Sequence, residues 1–341
     1  MLVVSYFMKK FIIIQIIFIV ILIALFAVYM FMPTPVKSVS VVASPIVMPK
    51  PATASENVAT STFSYINPII DAGLSKHFII NFKPLKGQLQ DIQKKYSAKT
   101  YVYFLYLNNA AWVGLDEREE FTAASTIKVP IAMAIMKAVE DKKLKLSDSY
   151  PLAELDLDKG FGDLYKVGAD QEFTVEELMS IMLKQSDNTA MKAVIEIFDR
   201  VGITDPLANV YEFLGWEFTQ KLPEFGAAPD YSKINLKTLS NLFLALYDAK
   251  YVNVQDSTKI LSYLADTPFV DRIVAGVPSG VVVSHKIGTA SGDNTFSDCG
   301  IVYAPNRHYI LCLGSAGVSE KTASAFMAEV SKAVYEYVIK N

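Results

Sequence analysis

The segment FTAASTIKVP, residues 121–130, sets Ser125 three positions ahead of Lys128 at the head of an apolar run, IKVPIAMAIMKAVED (127–141), whose spacing predicts a helix. One helical turn separates the two side chains, so they share a face and can share a hydrogen bond. A serine hydroxyl is a poor nucleophile until a base takes its proton. A lysine held partly out of water among other cations can lose its own proton and act as that base. The same residues also suit a plain helix start, because serine is a favoured N-cap and Pro130 falls in the first turn, where a missing N–H costs least. The pair alone does not decide between chemistry and capping.

Two further short motifs lie downstream. QSDNTA carries Ser186-Asp187-Asn188 in the break between two predicted helices, where a polar capping turn is ordinary. HKIGTA carries Lys286-Ile287-Gly288-Thr289 at the end of a predicted strand, where the glycine permits either a bulge or close backbone approach to a ligand. The three histidines, His77, His285 and His308, form no triad or metal pattern, and His285 alternates away from Lys286 on its strand. No metal and no cofactor is expected.

Outward from these motifs the chain divides cleanly. LKGQLQDIQKKY (85–96) has helical spacing, and the runs 100–107 and 110–115 read as a hairpin around Asn108-Asn109. Near the other end, 281–288, 298–304 and 308–314 read as strands, followed by a helix from about Glu320 to Ile339. Between them, 174–185, 188–201, 235–248 and 255–266 join 127–141 as amphipathic helices, and Thr174 with Glu177 forms a capping-box signature. The expected fold is α+β: a five-stranded antiparallel sheet built from residues 64–124 and about 280–341, flanked by helices, with an all-α subdomain of about 125–279 inserted. A two-residue turn at Pro305-Asn306 would set Cys299 directly opposite Cys312. Opposed cysteines on neighbouring strands more often pack than bond, so core packing is the expectation and a cross-strand disulfide the alternative.

Taken in this order, Ser-x-x-Lys, Ser-Asp-Asn and Lys-x-Gly on their predicted elements resemble the class A β-lactamase family of serine hydrolases. FTAASTIKVPIAMAIM, FTVEELMSIMLKQSDNTA and HKIGTASGDNTFSDCGIVY carry the likeness, which covers about residues 64–341. The resemblance implies that Ser125 is the acylated nucleophile and Lys128 its base. It implies an oxyanion hole from the backbone N–H groups of Ser125 and Thr289. Ser186 would pass a proton to the departing nitrogen, Asn188 would orient Lys128 and the substrate amide, and Lys286 with Gly288 and Thr289 would receive the substrate carboxylate.

Two departures stand out. The family's third motif has a hydroxyl residue where this chain has Ile287, which removes a charge-assisted hydrogen bond of roughly 1.5–3 kcal/mol unless Thr289 supplies it. In the family, a loop beyond the second motif supplies a glutamate, with an asparagine four positions later, that activates water to release the acyl-enzyme. Here that region reads GWEFTQKLPEFGAAPDYSKIN, with Glu217 and Glu224 but no such asparagine, and Glu224 is the better match by distance. Three functions follow from the resemblance: a serine β-lactamase, a D,D-peptidase or penicillin-binding enzyme acting on wall peptide, or a catalytically weak module that binds wall peptide.

The remaining sequence concerns placement. Phe11–Met32 is an uncharged apolar run, about 33 Å long as a helix, which is enough to cross a bilayer. Lys9 and Lys10 before it put residues 1–10 in the cytoplasm and the rest outside, at a bacterial periplasm or cell surface. No small-residue cleavage site follows the run, so an uncleaved anchor is expected. Residues 33–63, rich in Pro, Ser and Thr, suit an extended tether. With a formal net charge of −3 and interspersed signs, nucleic acid is not an expected partner. A monomer acting on a small β-lactam or a wall peptide is expected.

Overall fold

The computed structural model describes residues 80–214 and 230–341. The predicted span 11–32, the tether 33–63, His77, and both loop glutamates, Glu217 and Glu224, lie outside the described residues. Among those described, no helix is long and apolar enough to cross a membrane.

In chain order the elements are α1 (Lys83–Lys95), β1 (Lys99–Tyr106), β2 (Trp112–Leu115) and β3 (Phe121–Thr122), then a 3-10 turn over Ala124–Ile127 that runs into α2 (Lys128–Glu140). There follow β4 (Ser149–Pro151), β5 (Glu172–Thr174), α3 (Val175–Lys184), α4 (Asn188–Arg200), α5 (Ala208–Leu214), β6 (Lys233–Ile234), α6 (Leu236–Tyr247) and α7 (Val254–Ala265). The chain ends with β7 (Val283–Ala290), β8 (Thr295–Val302), β9 (Tyr309–Ala316) and α8 (Glu320–Lys340).

One antiparallel sheet has the order β2-β1-β9-β8-β7, so the first and last parts of the chain meet at the β1–β9 pair. Both faces of this sheet are covered. Val102, Phe104 and Tyr106 of β1 pack with α1 and α8, whereas Tyr101, Tyr103 and Leu105 pack into the core shared with the helical part. That double burial explains why β1 reads as a continuous apolar run, TYVYFLY, with no polar alternation. α2 is buried nearly all round from Lys128 to Ala138 and forms the axis of the helical part.

The five amphipathic helices expected between the sheet segments are all present, each within two residues of its expected ends. The capping box also forms: Thr174 Oγ1 accepts from Glu177 N at 3.1 Å, and Glu177 Oε2 accepts from Thr174 N at 2.8 Å. Sequence periodicity misses α5 and the two-stranded pairs β3–β6 and β4–β5, which are too short to show a period. Two strand limits also need correction. β7 continues through Thr289 to Ala290 and β8 begins at Thr295, because a tight turn at Ser291–Asp293, closed by Asn294 with φ 50°, lets the hairpin pair almost to its tip.

Cys299 pairs with Cys312 in the β8–β9 register, as the Pro305-Asn306 turn implies. The expectation of two packed thiols is not met, since the structure joins them as a disulfide. Direct opposition on adjacent strands brings the sulfurs together inside the core, where both residues are fully buried.

Thr174→Ala should lower unfolding free energy by about 1 kcal/mol, because the Oγ1 arm of the capping box is lost while the backbone N–H of residue 174 still donates to Glu177. Urea unfolding followed by circular dichroism reads this directly, and an unchanged midpoint would show that tertiary packing alone fixes the start of α3.

Candidate active site

The 3-10 turn carrying Ser125 sits against β7, the outer strand of the sheet. Gly288 makes this closeness possible: a Cβ there would stand 2.5 Å from Ser297 Oγ and 3.0 Å from the Ala123 carbonyl oxygen. Ser125 does not cap α2. The residue before that helix is Ile127 and no side chain caps it, so the Ser125 hydroxyl is free for another partner.

That partner is Lys128. Its Nζ donates to Ser125 Oγ at 3.0 Å, to the Ser186 carbonyl oxygen at 2.6 Å and to Asn188 Oδ1 at 2.8 Å, and it lies 3.5 Å from Ser186 Oγ. The residue is 1% exposed. Burial disfavours its charged form and brings the amine from its ordinary 10.5 down to about 8, against the opposing pull of Asp187 and Asp158. Near neutral pH about a tenth of the amine is therefore neutral, the form able to accept a proton.

Ser186 bridges two amines, since Lys286 Nζ donates to its Oγ at 2.8 Å. Ser186 holds φ at 57°, a left-handed conformation that costs a serine energy. The Lys128 bond to its carbonyl holds it there. Lys286 is also buried, and burial together with the neighbouring Lys128 and Arg272 charges pushes its amine well below the usual lysine range, while Asp298 opposes the shift. An arriving carboxylate would supply the negative charge that favours its protonated form.

The middle residue of the second motif is structural. Asp187 Oδ1 accepts from Ala190 N at 2.9 Å, capping α4, and Oδ2 accepts from Leu164 N at 2.9 Å. Asn188 is itself held in place: its Nδ2 donates to Asp158 Oδ1 at 3.3 Å, which leaves Oδ1 facing Lys128. Lys192, 2.8 Å from Asp158, leads the interactions that hold that carboxyl below its ordinary range.

Sequence patterns missed Arg272. Its guanidinium is 1% exposed and donates to the carbonyl oxygens of Gly288 (3.0 Å) and Ser297 (2.7 Å), to Thr289 Oγ1 (2.9 Å) and to Glu320 Oε1 (2.8 Å). No spacing rule marks an arginine in an irregular segment; only the fold brings it behind Thr289. Asp298 was missed as well. It is fully buried, receives the Ile273 N–H at 3.1 Å and pairs with His285 Nδ1 at 2.8 Å. His285 thus points away from Lys286 as expected, and His308 bonds Tyr247. Among the described residues, no group of three metal-ligating side chains converges.

Ser125, Lys128, Ser186, Asn188, Ile287, Thr289 and Glu320 line one cleft of about 500 Å3. Of the sequence-predicted residues, Ser125, Lys128, Ser186, Asn188, Lys286, Gly288 and Thr289 are brought together, while Glu224 is outside the described residues.

Residues 84–338 match the model of the Beta-lactamase enzyme family. The chain belongs to that family. Relatives are distant. The extended-spectrum β-lactamase PER-1 of Pseudomonas aeruginosa is 22% identical over 239 residues, covering 65% of this β-lactamase-family chain and 77% of the relative. A β-lactamase of Streptomyces albus G is 23% identical over 284 residues, covering 80% and 90%. Among solved structures, PBP-A superposes with a TM-score of 0.67 at 24% identity, covering 76% of this chain and 97% of that one. An ancestral class A β-lactamase gives 0.64 at 21%, covering 74% and 99%.

The rate at which Ser125 attacks an acylating agent should rise about tenfold per pH unit below pH 8 and level off above it, because Lys128 must be neutral to accept the proton. Stopped-flow acylation between pH 5.5 and 9.5 reads the limb. A flat profile would remove Lys128 as the base.

Proposed function

We propose that the protein is a serine hydrolase of the class A β-lactamase type, opening the amide of a β-lactam ring through a Ser125 acyl-enzyme. The observation that carries this reading is the 3.0 Å contact between a water-excluded Lys128 amine and the Ser125 hydroxyl, with Ser186 linking that amine to Lys286.

Neutral Lys128 takes the Ser125 proton as Oγ attacks the carbonyl carbon, and the backbone N–H groups of Ser125 and Thr289 receive the developing oxyanion. The ring C–N bond breaks. Ser186 gives its proton to the departing nitrogen and is reprotonated by Lys128, which restores the base. Lys286, Thr289 and Arg272 face the carboxylate that a β-lactam carries beside that nitrogen. Water then cleaves the Ser125 ester, with Glu224 as the proposed base. The Phe11–Met32 run supports a tethered enzyme working outside the cytoplasm.

A second reading, a D,D-peptidase or penicillin-binding enzyme, uses the same acylation steps on a terminal wall-peptide amide. A specific observation favours keeping it. Among the described residues lining the cleft the only carboxylate is Glu320, and Arg272 engages it, so a base for deacylation must come from elsewhere. A module that merely binds wall peptide has no need of a lysine held out of water against a serine hydroxyl, which weakens that third possibility.

Intact mass of the protein, followed over time with a penicillin, separates the two enzyme readings. Rapid ring opening with a transient adduct supports the β-lactamase; a persistent adduct, absent in Ser125→Ala, supports the penicillin-binding enzyme. No adduct at any concentration would sink both. Glu224→Gln should prolong the adduct, and turnover equal to the parent would dismiss Glu224 as the water-activating base.

Thr289→Val should reduce the acylation rate constant at low substrate by roughly 10- to 100-fold, the worth of one hydrogen bond to a carboxylate. Ile287→Thr in that background should recover part of the loss. If Thr289→Val acylates as fast as the parent, the carboxylate is held without that hydroxyl.

A further inference from the structure

Asp158 is a carboxylate that none of the acylation steps uses, yet it is held from several sides. It lies in the irregular stretch between β4 and β5. Its backbone N–H donates to Thr189 Oγ1 at 2.9 Å, Gly160 N donates to its Oδ1 at 2.7 Å, and Asn188 Nδ2 donates to the same oxygen at 3.3 Å. Lys192, one turn along α4 from Asn188, pairs with Oδ2 at 2.8 Å. Gly160 sits so close to this junction that a Cβ would stand 2.8 Å from Asp158 Oδ1 and 3.2 Å from Asn188 Nδ2.

The face that the Asn188 amide shows to Lys128 decides where the lone pair of that amine points. A neutral amine has two hydrogens and one lone pair. The Ser186 carbonyl oxygen and Asn188 Oδ1, 2.6 and 2.8 Å from Nζ, can only accept, so they take the two hydrogens and turn the lone pair toward Ser125 Oγ at 3.0 Å. An Asn188 amide rotated by half a turn would offer an N–H to Lys128 instead, and that N–H would occupy the lone pair. An ionised carboxylate accepts hydrogen bonds and donates none, so Asn188 meets Asp158 with its Nδ2 and Lys128 with its oxygen.

We propose that Asp158, steadied by Lys192, is a positioning residue for acylation: it fixes the Asn188 amide so that the Lys128 lone pair is aimed at Ser125. The proposal rests on the serine-hydrolase reading of the site. Asp158 also acts on the base through its charge. Asp187 and Asp158 favour the protonated form of Lys128, while Lys286 stands close enough for the two amines to repel each other. Asp187 is tied to Ala190 N and Leu164 N, so among these carboxylates Asp158 is the one whose charge can be changed without dismantling the cap of α4. Lys192 offsets that charge from the exposed side. Removing the carboxylate charge therefore moves the rising limb of the acylation profile to lower pH, and removing Lys192 moves it to higher pH.

The test measures the single-turnover rate constant for Ser125 acylation by a chromogenic cephalosporin across this limb, on the full-length protein. Such a rate constant is indifferent to the fraction of protein that is folded. Asp158→Ala, which takes away the acceptor, should lower the plateau at high pH about tenfold. Asp158→Asn keeps an oxygen that Gly160 N holds toward Asn188, so its plateau should stay within twofold of the parent while its limb moves to lower pH. Lys192→Met should keep the plateau and move the limb to higher pH. An Asp158→Ala plateau within twofold of the parent overturns the proposal and leaves the hydrolase intact. Equal losses in Asp158→Ala and Asp158→Asn, with every limb superposed on that of the parent, also overturn it, because Asp158 is then a structural prop alone. Failure of the parent to acylate overturns the proposal and the hydrolase reading together.

Discussion

The buried amine of Lys128 is the point on which the site depends. A lysine this far from water is stable only if its hydrogens find acceptors and its charge can be shed, and three parts of the chain meet those needs. The Ser125 turn offers a hydroxyl, the 185–188 turn offers a carbonyl and the start of α4 offers the Asn188 amide. The packing of α2 into the centre of the helical part therefore does two things at once: it excludes water from Lys128 and brings the first two motifs together, with the third joining through the Lys286 contact to Ser186.

The constraint propagates outward through backbone geometry. Ser186 accepts a left-handed φ because its carbonyl is tied to Lys128 while its side chain is tied to Lys286. Two amines beside one hydroxyl in a dry environment disfavour double protonation. On the far side of β7, Asp298 answers the positive charge of Lys286 and Arg272 from within the core. The carboxylate is far from expendable there: it also holds the Ile273 N–H, and with it the turn from which Arg272 reaches Thr289.

Much of this was legible in the residues, and the reason is physical. Ser125 and Lys128 are one helical turn apart, so local geometry alone makes them neighbours; Ser186, Asn188 and Lys286 could be added only because the motif order matched a known constellation. The long helices and the β8–β9 register followed from periodicity and from the Pro305-Asn306 turn. What was illegible depends on tertiary approach. Arg272 has no periodic or spacing signal, and its four acceptors come from three separate segments. The disulfide is not legible in the sequence, because opposition across strands says where the sulfurs lie but not whether they bond. The short strands β3 and β6 are similarly invisible, since two residues cannot display an alternation.

Ile287 illustrates how a missing motif residue is reconciled with a retained site. The apolar side chain lines the cleft and brings no hydrogen bond, yet the next residue on the same strand face, Thr289, presents a hydroxyl that Arg272 holds by its oxygen. Because that oxygen already accepts a bond from a guanidinium, its own proton is turned toward donation, and donation is what a substrate carboxylate requires. The hydroxyl available to an anion thus stands one pleat along β7, beside Arg272. Glu320 shares the same guanidinium nitrogen from the rim and is more than half exposed, so it can yield to a ligand carboxylate without burying an uncompensated charge. In the proposed reading, a substrate carboxylate would therefore meet Thr289 and Arg272 in place of a hydroxyl at 287.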